Sequence, residues 1–435
     1  MAISADRGDG NQTGTRLFAP PSTLRGALAA TVKRAGVASE DDMQRLFGTR
    51  GCRPSALLPS STPAREHEQA NGADGDASGE DATERTASAP GVQFAPLTLL
   101  TCKRHPGFAG ETNASGREAH GVSDRLLASA AFAAKDDASA LEALQTCPEC
   151  GNVLRPKGGF VQAGAQQQSY RTQPPPPTRV QTHVGIDRRR KGASPGALYS
   201  REVINESGEQ NGRASSEAAG SGDRLMSAAV TGPPEVMRLL SETVTEAGTL
   251  RVGNAVSRGL GRCEVVAFEE EQRAEPSERR ADLAERVEET SAAAAQKGLP
   301  EGTYVTLTLR TPALFVDAFL RPELRPGSED LLQAAWSDHE AYAEALAALD
   351  PVHQVARPYQ FSAWNGLAGF PHATDQGLTA GSALLFRAPE GLTDALAEAL
   401  LHAEDAGVGL RRHFGCGRVR VSDAMHFSLE EVTAT

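Results

Sequence analysis

The sequence predicts an α+β protein built from two βαββαβ-like units, and three observations predict it. The order helix, glycine loop with arginines, strand occurs twice, at 234–268 and at 391–421, the trace of an internal duplication. Short segments of alternating character bracket both copies; in TYVTLTL from Thr303, Val305, Leu307 and Leu309 share one face. At 435 residues the chain exceeds what one core holds, so two domains are expected, 1–268 and 296–435, joined by a charged helical linker at 269–295.

Composition narrows the class. Aromatic residues make up only 5% while Gly and Pro number 43 and 26, which points to folded domains carrying long flexible insertions. The net charge of −12 excludes a protein that coats nucleic acid by bulk attraction, so any such binding must be local. No apolar run approaches the roughly 18 residues of a membrane span, and the opening MAISADRGDG lacks the apolar core of a secretion signal; a cytoplasmic protein is expected. Six cysteines, two of them as Cys147-x-x-Cys150, suit a reducing compartment with a metal site better than a disulfide framework.

In chain order, the polar stretch DRGDGNQTGTR from Asp6 stands where a sheet domain would have its first strand, which reads as truncated. Ser22 or Thr23 then caps a helix with Leu24, Ala27, Leu28 and Val32 at helical spacing, and Arg25, Lys33 and Arg34 fall toward its exposed side. Residues 60–89 are acidic and nearly free of large apolar side chains, so burial cannot offset the entropy of ordering them; they read as a disordered insertion.

A metal-binding insertion is expected at about 100–155. Cys102-x-x-His105 and the knuckle Cys147-Pro-Glu-Cys150-Gly supply three thiolates, and His105 or His120 supplies an imidazole, for a tetrahedral zinc. The short reach from Cys102 favours His105. A closed four-ligand set leaves no open position, so the zinc is read as structural.

From Thr178 the sequence alternates as a strand, and 198–204 alternates again, so two strands hold out a basic finger, Arg188, Arg189, Arg190 and Lys191. Residues 179–202 carry six basic and two acidic residues, which makes a basic groove on an acidic body. Asp187 reads as a loop-ordering ion-pair partner and His183 as a strand-packed imidazole. A strand at 225–230 and a helix at 234–247 lead into the first glycine loop, which has no acid between Thr249 and Arg262. Gly253, Gly259 and Gly261 permit positive φ and close backbone approach, and exposed N–H groups with the Arg251, Arg258 and Arg262 guanidinium groups suit phosphate oxygens. The second domain adds a helix-forming stretch at 331–349, a strand at 383–386, a helix at 391–404 and the second loop, with Arg411, Arg412 and Arg418.

As a set, STLRGALA from Ser22, HVGIDRRRKGASPGALYSREVI from His183, VGNAVSRGLGRCEV from Val252 and the CK…HGVSD…CPECG series resemble the RAMP superfamily of CRISPR-associated proteins. More narrowly they resemble the large RAMP subunit of type III-D interference complexes. The resemblance covers most of 10–268; over 295–435 it rests chiefly on the second glycine loop. It implies ferredoxin-like (RRM-like) domains, a glycine loop and basic finger that grip the CRISPR RNA, and packing beside other RAMP subunits and the polymerase-like large subunit. In some members an acid in the loop before the STLRG-type helix cleaves target RNA; here Asp6 and Asp9 are the only acids in that loop, and Asp9 is the nuclease candidate.

Three functions follow. The leading one is a subunit that holds guide RNA by its backbone while guide–target pairing reads the sequence. The second is an endoribonuclease acting on target RNA with a metal ion at Asp6 or Asp9. The third is a zinc-stabilised scaffold whose arginines meet acidic partners.

Overall fold

A computed structural model describes residues 1, 3–7, 12–60, 91–113, 115–135, 144–163, 169–205, 209–210, 213–214, 225–271, 273–332, 340–362, 364–365, 370–371 and 373–429. Residues 61–89 of the segment read as a disordered insertion, Asp9, and 333–339 of the expected 331–349 helix lie outside the described residues.

The C-terminal unit is the more regular. Its strands run Thr303–Leu309, Asp350–Val355, Ala383–Ala388 and Val419–Val421, with helices Glu340–Ala347 and Asp394–Ala406 in the two crossovers. In chain order the sheet reads fourth, first, third, second, and every pairing is antiparallel, the arrangement of a split βαβ unit. Thr303–Leu309 is the strand covered on both faces, Val305, Leu307 and Leu309 on one and Tyr304, Thr306 and Thr308 on the other: all but its first residue are buried. Charge composition misleads at 269–295, for the expected linker is a packed element. Helix Pro276–Gln296 lays Leu283 and Val287 into the main core against Val305, Leu307 and Leu400, and only its charged side meets solvent. Buried Arg286 pays for its place there by bonding Asp282 at 2.9 Å, Glu404 at 3.3 Å and the Val421 carbonyl.

The N-terminal unit divides its pairing among small ladders. The opening expected as a truncated strand forms two, Ser4–Arg7 and Gln12–Thr15, which extend a sheet with Gly192–Ile204 and Thr178–Asp187. Helix Pro21–Ala35 buries Leu24, Ala27, Leu28 and Val32; Leu24, Leu28 and Val32 meet Val236, Leu240 and Val244 of helix Pro234–Ala247, and Ala27 packs with Ile3, Ala19 and Val252. Neither Ser22 nor Thr23 caps it. The helix starts one residue earlier, at a proline whose missing N–H needs no partner, and the Pro20 carbonyl takes Thr23 and Leu24 N–H at 2.9 and 3.2 Å.

Between Val92 and Gln173 lies the insertion: strands Leu99–Cys102, Val122–Asp124 and Leu154–Pro156, a second ladder built on Phe160–Ala163, and helix Leu126–Lys135. Leu126, Leu127, Ala130 and Ala131 of that helix pack on Tyr304, Ala383 and Leu385, so the insertion leaves one unit and seats on the other. No helix among the described residues is long and apolar enough to cross a membrane.

Candidate nucleic-acid interface and metal centre

The two glycine loops have the same backbone, position for position. Gly253, Ala255, Gly259 and Gly261 have φ of 94°, 57°, 84° and 77°; Gly409, Arg411, Gly415 and Gly417 have 68°, 56°, 81° and 74°. Each loop holds a single 3₁₀ turn, Val256–Arg258 or Arg412–Phe414. One bond closes both: Val252 N–H reaches the Gly261 carbonyl at 2.8 Å, and Val408 N–H reaches that of Gly417 at 2.8 Å. The glycines are required at the last position, because a Cβ on Gly261 would sit 2.2 Å from the Val252 oxygen and one on Gly417 1.9 Å from that of Val408.

Their surroundings differ. In the first loop Arg251, Arg258 and Arg262 are exposed, and Arg251 stands directly opposite Arg262 in the two-stranded ladder Thr249–Arg251 with Arg262–Glu264. Like charges set opposite one another cost stability unless an anion joins them. Arg258 Nη1 donates to the Tyr199 hydroxyl at 2.7 Å, and the Tyr199 ring stacks on His183 with centroids 5.1 Å apart. That contact ties the loop to the basic hairpin, whose strands pair from Thr178↔Ile204 to Asp187↔Gly192. At the tip the Asp187 carboxylate accepts Arg189 and Arg190 N–H at 2.9 and 3.3 Å, the loop-ordering role expected of it, while Arg188, Arg189, Arg190 and Lys191 face solvent. The opposite hairpin face is apolar and exposed: Val180, Val184, Ile186 and Leu198.

The second loop is engaged by its own chain. Gly415 lies against Pro21 and the Pro54 carbonyl, and Arg418 Nη1 donates to the Arg53 carbonyl at 3.3 Å. Arg411 is ion-paired with Asp375 and covers the Phe361 ring. Arg25, read as an exposed contact, instead donates to the Phe47 carbonyl and lies over the Phe414 ring at 5.1 Å. Arg412 is half-buried beside them. Burial, reinforced by Arg25, Arg411, Arg53 and Arg412, pushes His413 down to about 4, so it stays neutral. Of the residues predicted from sequence, the arginines of the first loop and the basic residues of the finger are exposed and the two elements are linked through Arg258 and Tyr199; Arg25 and Arg418 reach between the units, and Arg411 is engaged within the C-terminal one.

The metal centre departs from expectation at one ligand. Cys102, Cys147, Cys150 and His120 place their ligand atoms within 4.8 Å of one another, and His105 is outside the set. The chain from Cys102 doubles back, with His120 N–H on the His105 carbonyl at 3.1 Å, which carries His120 to the sulfurs. His105 stacks on the outer face of that ring, centroids 4.0 Å apart, its Nδ1 3.0 Å from the Glu118 carbonyl oxygen. Cys102 and Cys150 sulfurs are 3.5 Å apart and His120 Nδ1 is 3.4 Å from the Cys147 sulfur. Tetrahedral zinc with Zn–S near 2.3 Å needs edges of about 3.5–3.8 Å, so the donors suit that ion. Gly151, at φ 65°, closes the knuckle through its N–H on the Cys147 carbonyl at 2.9 Å. Asn152, which sequence reasoning missed, donates to the Cys150 sulfur at 3.2 Å and draws that thiol down to about 6, whereas burial pushes Cys147 up to about 11.

No family model matches the chain, and no curated protein matches it. Among solved structures the chain is similar to a Cas6 product complex, with TM-score 0.31 and 15% identity over 46% of this chain and 79% of that one. It is also similar to a chain of the Type III-B Cmr-beta complex bound to cognate target RNA, with TM-score 0.33 and 8% identity over 88% of this chain and 83% of that one. To Thermus thermophilus Cas6 it is similar with TM-score 0.26 and 15% identity over 46% and 75%.

Proposed function

We propose that this protein is an RNA-binding RAMP subunit of a type III CRISPR interference complex, of the III-D kind, that grips the CRISPR RNA by its backbone. It works in the cytoplasm beside other RAMP subunits and the polymerase-like large subunit, and target RNA is read by pairing with the guide. Both units are taken as ferredoxin-like, the repeated glycine loop marking their common plan. One observation carries the reading: the first glycine loop, in which Arg251 opposes Arg262, is joined through Arg258 and Tyr199 to the basic finger, and the arginines of both are exposed. Among the described residues no carboxylate pairs with Arg188, Arg189, Arg251, Arg258 or Arg262, so their charge is left for phosphate. Zinc, where bound, fixes the insertion through Cys102, His120, Cys147 and Cys150 and takes no part in chemistry.

Binding of CRISPR RNA across a salt series tests this. Arg258→Ala with Arg262→Ala should weaken binding irrespective of sequence and lower the salt slope by about one to two, since each lost phosphate contact removes close to one. Arg188→Ala, Arg189→Ala and Arg190→Ala together should do the same. An unchanged slope in both variants, with circular dichroism intact, sinks the reading. Discrete cuts in target RNA would move the assignment to the nuclease class.

A further inference from the structure

We propose that Phe319 is a stacking platform for one unpaired base of a bound RNA strand. The inference rests on the RNA-binding reading above and adds a contact that the glycine loops and basic finger do not supply. Phe319 is 79% exposed and Leu320 beside it 65% exposed, although both are large and apolar. They are held out by a clamped turn. The Asp317 carboxylate accepts the N–H groups of Phe319 and Arg321 at 2.9 Å each and the Arg321 guanidinium at 2.7 and 2.8 Å. Asp317 and Arg321 also exchange backbone bonds with their neighbours: Asp317 N–H meets the Arg321 carbonyl at 3.0 Å and Leu320 N–H meets that of Asp317 at 2.9 Å. Leu320 is thereby kept at φ 61°, a conformation costly for a branched residue and retained only where the surroundings over-determine it.

The turn therefore fixes an aromatic ring in water. Arg321 covers one ring face, its guanidinium carbon 5.2 Å from the centroid, which leaves the other face to solvent. Size decides between occupants. A stable protein interface buries roughly 800 Å² on each partner, far more than two side chains present, whereas one open ring face matches one base. The Asp317 charge is consumed by the clamp, and Val316, at the foot of the turn, lines a small cavity with both Asp330 and Arg412. A base on the open face of Phe319 would lie across the ring from the Arg321 guanidinium.

The test uses the full chain and single-stranded RNA carrying one 2-aminopurine, moved along the strand in a series. In the wild type one label position should be quenched by stacking. Phe319→Ala should restore its fluorescence and weaken binding about tenfold with no change in salt slope, because stacking releases no counterions. Phe319→Trp should keep both quenching and affinity, which separates stacking from damage to the turn. The finger variant Arg188→Ala, Arg189→Ala, Arg190→Ala should lose slope yet still quench at saturating RNA. RNA bound and quenched equally by wild type and Phe319→Ala overturns the platform alone; a wild type that binds no RNA overturns the RNA-binding reading and the platform with it.

Discussion

His105 and His120 lie ring on ring, but only His120 turns a nitrogen toward the sulfurs, 3.4 Å from Cys147. Substitution should separate them. His120→Ala is expected to leave the purified protein with well under one zinc per chain, while His105→Ala keeps close to one and loses affinity by about 10- to 100-fold, as outer-layer partners of metal sites do. Metal analysis of freshly prepared protein checks both; equal loss would make His105 a ligand. Cys147→Ser should lower the melting temperature, since the ligand set without its ion no longer ties the knuckle to the strands around it. The thiolates were legible from their spacing, and so was the choice between two imidazoles. Which imidazole was not, because the decision belongs to the path of the chain between 102 and 120, whose doubling back depends on backbone bonds that leave no periodic signal.

The glycine loops pose the same question one level up. Their repetition was readable because φ above zero favours glycine, which stands at three of the four matched positive-φ positions of each loop. What surrounds each loop was not readable. Gly259 and Gly415 occupy matching positions, yet a Cβ on Gly259 would meet open space and one on Gly415 would lie 2.1 Å from the Pro54 oxygen. Gly259→Ala should therefore cost only the left-handed strain, about 1 kcal/mol. Gly415→Ala should cost that plus about 1–3 kcal/mol for forcing the contact with the N-terminal unit apart. Denaturant unfolding of the two variants measures the difference; equal losses would mean that the joint yields without penalty. Arg411 and Arg418 belong to the same contrast: Arg418 matches Arg262 of the first loop and Arg411 stands at the position of Ala255, and in the fold they are engaged by Asp375 and the Arg53 carbonyl. The charged helix Pro276–Gln296 was misleading for a related reason, since a narrow apolar stripe suffices to bury a helix whose other sides are all charge.

At the scale of the molecule the insertion is the staple between units, and a buried ionic group sits where it meets the C-terminal unit. His426 Nδ1 lies 2.9 Å from an Asp124 carboxylate oxygen of the insertion, and Nε2 lies 2.7 Å from the Thr308 hydroxyl of the central strand. Asp423 stands next to the imidazole and is itself paired with Arg310 at 2.7 Å, while Thr98 donates to Asp124. Burial opposes charge on the ring, but the Asp124 charge and hydrogen bond, with Asp423 behind them, outweigh it and raise the pKa above its ordinary value. The imidazolium thus contributes stability that is complete below the unfolded value near 6.5 and is lost as pH rises through the higher folded value. Asp423, lowered by Arg310 and His426 against burial, works on the acid side instead: its contribution is present above the unfolded carboxylate value and lost only as pH falls through the folded one. Unfolding free energy followed from pH 6.5 to 9 should fall in the wild type by up to about 1.4 kcal/mol per pH unit, the slope of one proton, relative to His426→Gln. Asp124→Asn should remove the same difference, because the carboxylate that raises the pKa is gone while the shape of the joint is kept. Parallel pH profiles for the wild type and both variants would show that the ring is neutral and that the insertion is held by the packing of Leu126, Leu127, Ala130 and Ala131 alone.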